Sequence, residues 1–123
     1  MVLVDTSVWI RFLSNRRPYA TELEQLLKRG EVGGHDFVLG ELLIADKGGR
    51  KQLLADYVLM HHVPAVPHPE VVEFVRQRRL HGRGIGWIDV HVLASALVAR
   101  VNLWTADPRL AAVAIEFGIN HEA

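Results

Sequence analysis

The segment VLVDTSVWIRFL, residues 2–13, decides the fold of this chain. It joins a short apolar run to a stretch with helical spacing, and Asp5 stands between the two. A buried strand that runs directly into a helix is the first half of a β/α unit. Residues 1–4 are therefore predicted to form a strand. Thr6 or Ser7 can cap the helix that follows, because a hydroxyl satisfies free backbone N–H groups there.

The rest of the chain continues this alternation of strands and helices. We expect strands near 31–34, 62–66 and 102–105, and helices over 20–29, 36–46, 50–60, 69–81, 87–101 and 108–117. The order predicts an α/β fold with a central parallel sheet of about four or five strands flanked by helices. Nearly every side of the helix over 87–101 is apolar, so it should be central. With no linker or repeat, residues 1–123 are predicted to form a single domain.

Composition excludes several classes of protein. The chain has no cysteine, which removes disulfides, thiolate catalysis and cysteine-based zinc sites. No apolar run approaches the roughly 20 residues needed to span a bilayer. The first residues lack the basic region and cleavage site of a signal peptide. We therefore expect a cytoplasmic protein that makes no use of a membrane.

Four carboxylates occupy positions that look like core. Asp5, Glu41, Asp89 and Asp107 each adjoin an apolar segment. A lone carboxylate removed from water usually becomes neutral, pairs with a cation or binds a metal. Asp5 and Asp107 also follow predicted strands, and the carboxyl ends of parallel strands line the ligand crevice of an open sheet. The pattern indicates a shared cation site.

Each acid also has a structural interpretation. Asp5 and Asp107 can be helix caps, Asp89 can pair with a buried arginine, and Glu41 can face solvent. Taken together, the four acids favour a metal site.

Hydroxyls stand beside the acids, on Thr6, Ser7 and Thr105. They are candidates to orient the carboxylates or contact a phosphate, and helix capping or turn formation is an equal alternative.

The aromatic side chains and histidines give weaker signals. Trp9, Trp87 and Trp104 each lie within four residues of an acid, and their apolar neighbours indicate core walls rather than stacking platforms. The seven histidines form no convincing pair at the spacing of helical metal ligands; His61 and His62 are adjacent and point apart.

The formal charge is zero, from 14 Lys and Arg against 14 Asp and Glu. Setting aside the four candidate acids leaves ten acids against 14 bases, so the remaining surface is mildly basic. A basic surface suits a phosphate-bearing substrate.

These motifs, taken in order, resemble those of a known family. Residues 4–10 (VDTSVWI), the lone Glu41, residues 88–96 (IDVHVLASA) and residues 103–107 (LWTAD) are similar to the motifs of PIN-domain ribonucleases, above all VapC-type toxins of bacterial toxin–antitoxin pairs. The match spans Asp5 to Asp107. The resemblance implies a central parallel sheet between helices, an acidic pocket and metal-dependent RNA cleavage. It also implies a homodimer and a cognate antitoxin protein.

Phosphodiester hydrolysis needs a cation that neutralises the phosphate and activates water, and carboxylates are the ligands preferred by Mg²⁺, for which Mn²⁺ can substitute. We assign Asp5 and Asp89 as the firmest ligands. Asp107 and Glu41 complete the site, directly or through water, and one of them can orient or deprotonate the attacking water.

Four arginines are candidates for contacts with RNA, although a solvated helix face is the default interpretation of such residues: Arg11, Arg76, Arg79 and Arg83.

The leading hypothesis is an endoribonuclease toxin that inhibits translation and growth. A second is a PIN nuclease that matures RNA without an antitoxin. A third, from another class, is a non-catalytic receiver-like module that holds Mg²⁺. Lys47 and Lys51 follow the helix of Glu41 rather than a late strand, so the chain lacks a clear receiver-type lysine.

Overall fold

Three parallel strands form the sheet, with the first strand in the middle. The computed structural model describes residues 1–122. Strands β1 (Val2–Val4), β2 (Val32–Gly33) and β3 (Asn102–Trp104) lie in the order β2-β1-β3. Strand β1 pairs with β3 from Val2 opposite Asn102 to Val4 opposite Trp104. Every residue of β1 is buried, as expected of a strand with helices on both faces.

Seven helices accompany the strands within residues 1–122, and each predicted helix is present. Their bounds are α1 (Thr6–Leu13), α2 (Tyr19–Lys28), α3 (Asp36–Ala45), α4 (Lys51–Leu59), α5 (His68–Arg78), α6 (Trp87–Ala99) and α7 (Pro108–Glu116). Helix α5 ends three residues earlier than predicted, because Arg79 adopts a left-handed conformation with φ of 53°. The predicted α/β class with a parallel sheet flanked by helices is confirmed.

The two outermost pieces of the sheet are single bridges. Gly34 pairs with His62, and Leu103 pairs with Asn120, both in parallel. Pro64 has no N–H to donate, so the first of these ladders cannot extend along 62–66. The predicted count of four or five strands is reached only when these bridges are included, since the regular ladder has three strands.

Helix α6 is the central helix, as its apolar sequence predicted. All residues from Val90 to Ala96 are buried. A buried polar network fixes α6 against its neighbours. The Nε2 atom of His35 lies 2.9 Å from the hydroxyl of Ser95, and the backbone N–H of His35 donates to the Tyr57 hydroxyl at 2.9 Å. These bonds fix the start of α3, from which Glu41 projects.

A membrane-spanning segment was not expected. None of the helices in residues 1–122 has the length and apolar character needed to cross a bilayer.

The central position of β1 predicts a large cost for truncating its core side chain. Leu3→Ala should lower the free energy of unfolding by about 2–5 kcal/mol, since it removes a fully buried side chain and leaves a cavity. Urea unfolding followed by circular dichroism measures this change. The matched control is Val98→Ala on α6, where the valine is 73% exposed and the change should be near zero. Equal losses in the two variants would contradict the placement of β1.

Candidate functional site

Asp5 lies where the central strand ends and α1 begins. The parallel ladder places it beside the end of β3, and its backbone N–H donates to the carbonyl of Trp104 at 2.8 Å. Asp5 is only 4% exposed. Its Oδ2 accepts two hydroxyl hydrogen bonds, from Ser7 at 2.7 Å and from Thr105 at 2.9 Å. The carboxylate is therefore held by groups from both strand ends.

The hydroxyls of Ser7 and Thr105 also contact each other, at 3.2 Å. Ser7 accepts from the N–H of Ala106 at 2.9 Å, and Thr105 accepts from the N–H of Asp107 at 3.1 Å.

The sequence allowed Thr6 or Ser7 to be the cap of the first helix. That alternative is wrong, since Asp5 occupies the cap position and no side chain makes a capping bond there.

Glu41 enters the site from α3. The hydroxyl of Thr6 donates to its Oε1 at 2.6 Å, and the side chain is half-buried. The alternative that Glu41 merely faces solvent is therefore wrong. This bond connects the first turn of α1 with the middle of α3, so Glu41 approaches the same end of the sheet as Asp5.

Asp89 lies in the first turn of α6, and its Oδ2 accepts from the N–H of Gly86 at 3.0 Å. No Lys or Arg of residues 1–122 forms a salt bridge with it, so the expected alternative of a buried arginine partner is wrong. Burial raises the pKa of Asp89, and the charges of Asp5, Asp107 and Glu41 raise it further, against the bond from Gly86. Asp89 is thus close enough to the other three acids for their charges to act on it.

Asp107 caps α7, as one interpretation of its sequence position held. Its Oδ1 accepts from the N–H of Arg109 at 2.9 Å. A cap and a site acid are compatible, because only one carboxylate oxygen is used.

The four acids suit a cation by their chemistry, although they do not surround one point. Within residues 1–122, no three His, Asp or Glu side chains lie where they could hold a metal together. Over the same residues none of the four acids forms a salt bridge. Hard carboxylate oxygens with uncompensated charge are the donor set that Mg²⁺ or Mn²⁺ prefers.

The four candidate arginines have different surroundings. Arg11 donates to the carbonyl of Ser7 at 2.9 Å and lies over the ring of Tyr19. Arg83 is paired with Glu116, which offsets its charge.

Arg76 and Arg79 are exposed at the end of α5, and no salt bridge engages them within residues 1–122. Of the four arginines, these two offer the freest positive charge.

The expectation that all three tryptophans are core walls is wrong for one of them. Trp9 and Trp104 are buried, but Trp87 is 43% exposed at the first residue of α6. Its ring meets the ring of His91 edge to face, with centroids 4.8 Å apart. The sequence analysis did not single out His91. The feature that could have indicated it is its position four residues after Trp87 on one helix, because residues four apart lie side by side on a helix surface.

The raised pKa of Asp89 predicts a stability change that depends on pH. A carboxyl whose pKa rises on folding keeps its proton to a higher pH in the folded state than in the unfolded state. Above the raised pKa of the folded state, the ionised carboxyl therefore lowers the free energy of unfolding. Asp89→Asn should therefore raise the free energy of unfolding at pH 7 in EDTA. The gain should disappear as the pH falls below the ordinary carboxyl value of 3.8.

Urea unfolding at several pH values measures this effect. The matched control is Asp56→Asn on α4, an exposed aspartate far in sequence from the acids, which should show no comparable gain. An Asp89→Asn protein no more stable than the wild type at pH 7 would contradict the electrostatic account.

Comparisons with known proteins identify the family and agree with the fold. Ribonuclease VapC32 of Mycobacterium tuberculosis, from strains CDC 1551 / Oshkosh and H37Rv, is 42% identical over 120 residues, which cover 97% of this chain and 94% of the relative. The crystal structure of PAE2754 from Pyrobaculum aerophilum superposes with a TM-score of 0.58 at 16% identity, over 90% of this chain and 82% of that one. The model of the PIN domain matches residues 2–116. The chain therefore belongs to the PIN domain family.

Proposed function

We propose that this protein is a metal-dependent endoribonuclease that hydrolyses RNA phosphodiester bonds. One observation carries the proposal: the charges of Asp5, Glu41 and Asp107 act on Asp89 at one end of the sheet, and none of the four acids forms a salt bridge with Lys or Arg in residues 1–122. Such a cluster needs a cation, and a cation attracts phosphate. Membership of the PIN domain family and the name ribonuclease carried by the 42% identical relative support the same activity.

We assign Asp5 and Asp89 as the principal ligands of Mg²⁺, or of Mn²⁺ in its place, with Asp107 and Glu41 completing the site. The ion would supply charge neutralisation of the phosphate and a lowered pKa for the attacking water. Ser7 and Thr105 both donate to Oδ2 of Asp5, which fixes the orientation of the carboxylate. Either Glu41, whose carboxylate accepts from Thr6, or Asp107 would orient or deprotonate the attacking water.

Cleavage should depend on divalent metal and on Asp5. Purified protein with Mg²⁺ or Mn²⁺ should cleave RNA, and EDTA should abolish the activity. Asp5→Asn should lower the rate by at least the roughly 100-fold that losing an outer partner of a metal ligand can cost. The rate is measured on a labelled RNA by gel electrophoresis. Asp56→Asn serves as the matched control and should retain full activity. Undiminished cleavage by Asp5→Asn would overturn the assignment.

The hydroxyl of Thr105 should contribute through Asp5. Thr105→Val keeps the shape of the side chain and removes the donor, so cleavage should fall by about 10–100-fold while circular dichroism stays unchanged. Thr21→Val, on the exposed face of α2, is the matched control. If the two valine variants cleave equally well, Thr105 does not act on the site.

We further propose that the chain is the toxin of a toxin–antitoxin pair. A groove of about 390 Å³ lies between α1, α3 and α4. Its apolar lining includes Ile10, Leu13, Leu42, Leu53 and Leu54, and the charged side chains of Asp46, Lys47 and Arg50 also line it. A groove of this kind suits the apolar face of an amphipathic helix, and we assign it to the antitoxin. The name of the relative, a VapC ribonuclease, is consistent with this role.

Induced expression should arrest bacterial growth and translation. Co-expression of a small protein encoded immediately upstream should restore growth. An active nuclease whose expression leaves growth unaffected would favour RNA maturation without an antitoxin.

Residues 1–123 are proposed to act as one domain in a homodimer. Exposed apolar side chains on α4, at Val58 and Leu59, support an interface there.

A further inference from the structure

A second cavity, of about 440 Å³, adjoins the acids and has no role in the chemistry assigned to them. Helices α3, α5 and α6 contribute its walls, and its lining includes Glu41, Phe37, His68, Trp87 and His91. The volume falls in the range of about 300–1,000 Å³ typical of pockets for small molecules.

Aromatic rings form one side of this cavity. His68 stacks on His91 with centroids 6.3 Å apart, and Trp87 meets both rings edge to face, at 5.2 Å from His68 and 4.8 Å from His91. Phe37 meets His91 in the same way at 4.7 Å. Trp87 nevertheless remains 43% exposed, so part of its ring is free for another flat group.

His91 belongs to the buried wall of this cavity. It is 3% exposed, and its Nδ1 is fully buried without a hydrogen-bond partner in residues 1–122. An occupant of the cavity therefore meets the rings packed against His91, those of Trp87 and His68.

The charges of the lining exclude a phosphate as the occupant. Asp36 and Glu41 contribute carboxylates to the cavity, and it is lined by no lysine or arginine of residues 1–122. A neutral flat molecule with hydrogen-bond donors suits this combination of rings and carboxylates, and a nucleobase has both properties.

The cavity and the acids share two elements. Glu41 lines the cavity and accepts from Thr6 beside Asp5. Helix α6 carries Trp87 and His91, which line the cavity. Asp89 lies between these two residues in sequence, and the charges of the other acids raise its pKa. A phosphate held at the acids would therefore bring the neighbouring nucleotide to the cavity.

We propose that this cavity binds one nucleobase of the RNA, next to the phosphate held at the acids. Because the rings of Trp87 and His68 are inclined at 65°, the base stacks on one of them and meets the other at its edge. The inference rests on the proposed function and adds to it a subsite that determines which base is accepted.

Nuclear magnetic resonance tests the inference without catalysis. The chain has three tryptophans, so the ¹⁵N-labelled protein gives three indole signals, and the one lost in Trp87→Phe belongs to Trp87. AMP, GMP, CMP and UMP, which have no phosphodiester bond to cleave, are titrated separately in Mg²⁺, with ribose 5-phosphate as the probe that lacks a base. At least one nucleotide should shift the Trp87 signal saturably, while Trp9, Trp104 and the ribose 5-phosphate titration show no such shift.

Variants locate the binding. His68→Ala removes an exposed ring and should weaken nucleotide binding by about five- to 100-fold, the range expected for loss of stacking on one base. His61→Ala, at another exposed histidine, is the matched control and should bind as the wild type does. Equal binding by His68→Ala, no shift with any nucleotide, or an equal shift with ribose 5-phosphate would overturn the inference. A Trp87 shift that follows protein concentration alone would assign the cavity to a second copy of the chain and overturn it too.

RNA cleavage measured on the same preparations separates this inference from the proposed function. Cleavage without nucleotide binding at Trp87 would contradict the subsite and support the nuclease. Binding at Trp87 without metal-dependent cleavage would contradict the nuclease and support the base-binding cavity.

Discussion

A nearly buried carboxylate at the end of the central strand is the constraint on which the site depends. Asp5 follows β1 directly, so its position is fixed by the parallel pairing of Val4 with Trp104. That pairing brings Thr105 beside it, and the turn into α1 supplies Ser7. The same turn presents Thr6 to Glu41. A change in the register of β1 against β3 would therefore separate Asp5 from Thr105, while Ser7 would move with Asp5.

The cluster has an electrostatic cost for the protein without metal. Asp89 is disfavoured as a carboxylate by burial and by three neighbouring negative charges. The backbone bonds to Asp89 and Asp107 offset only part of this cost, since each occupies one oxygen. Sites that break the usual rules of burial and charge pairing tend to be functional, because stability alone would have removed the charges. The acids at the end of this sheet fit that description.

The fold was predictable where local sequence patterns agree with tertiary packing. Helix α6 shows this best, because its apolar sequence requires burial and its residues Val90–Ala96 are buried. The segment 62–66 shows the limit. Its apolar residues predict a strand, but proline limits the pairing to one bridge. The number of backbone hydrogen bonds that a segment with proline still makes cannot be read from the sequence. That the acids approach one another could only be proposed from the sequence, since it depends on contacts such as Thr6 with Glu41, which lie 35 residues apart.

Trp87 shows why side-chain exposure resisted prediction. Its neighbours Ile85 and Ile88 are apolar, so burial was the reasonable expectation, yet Trp87 occupies the first position of α6, where the helix leaves the core. A helix periodicity of 3.6 residues places His91 on the same side and turns Asp89 by about 200° from Trp87. One short stretch of α6 thus carries a carboxylate beside the other acids and two rings that line the second cavity. The helix itself sets the separation between them. If the two proposals hold, this separation is the spacing between a bound phosphate and the base beside it.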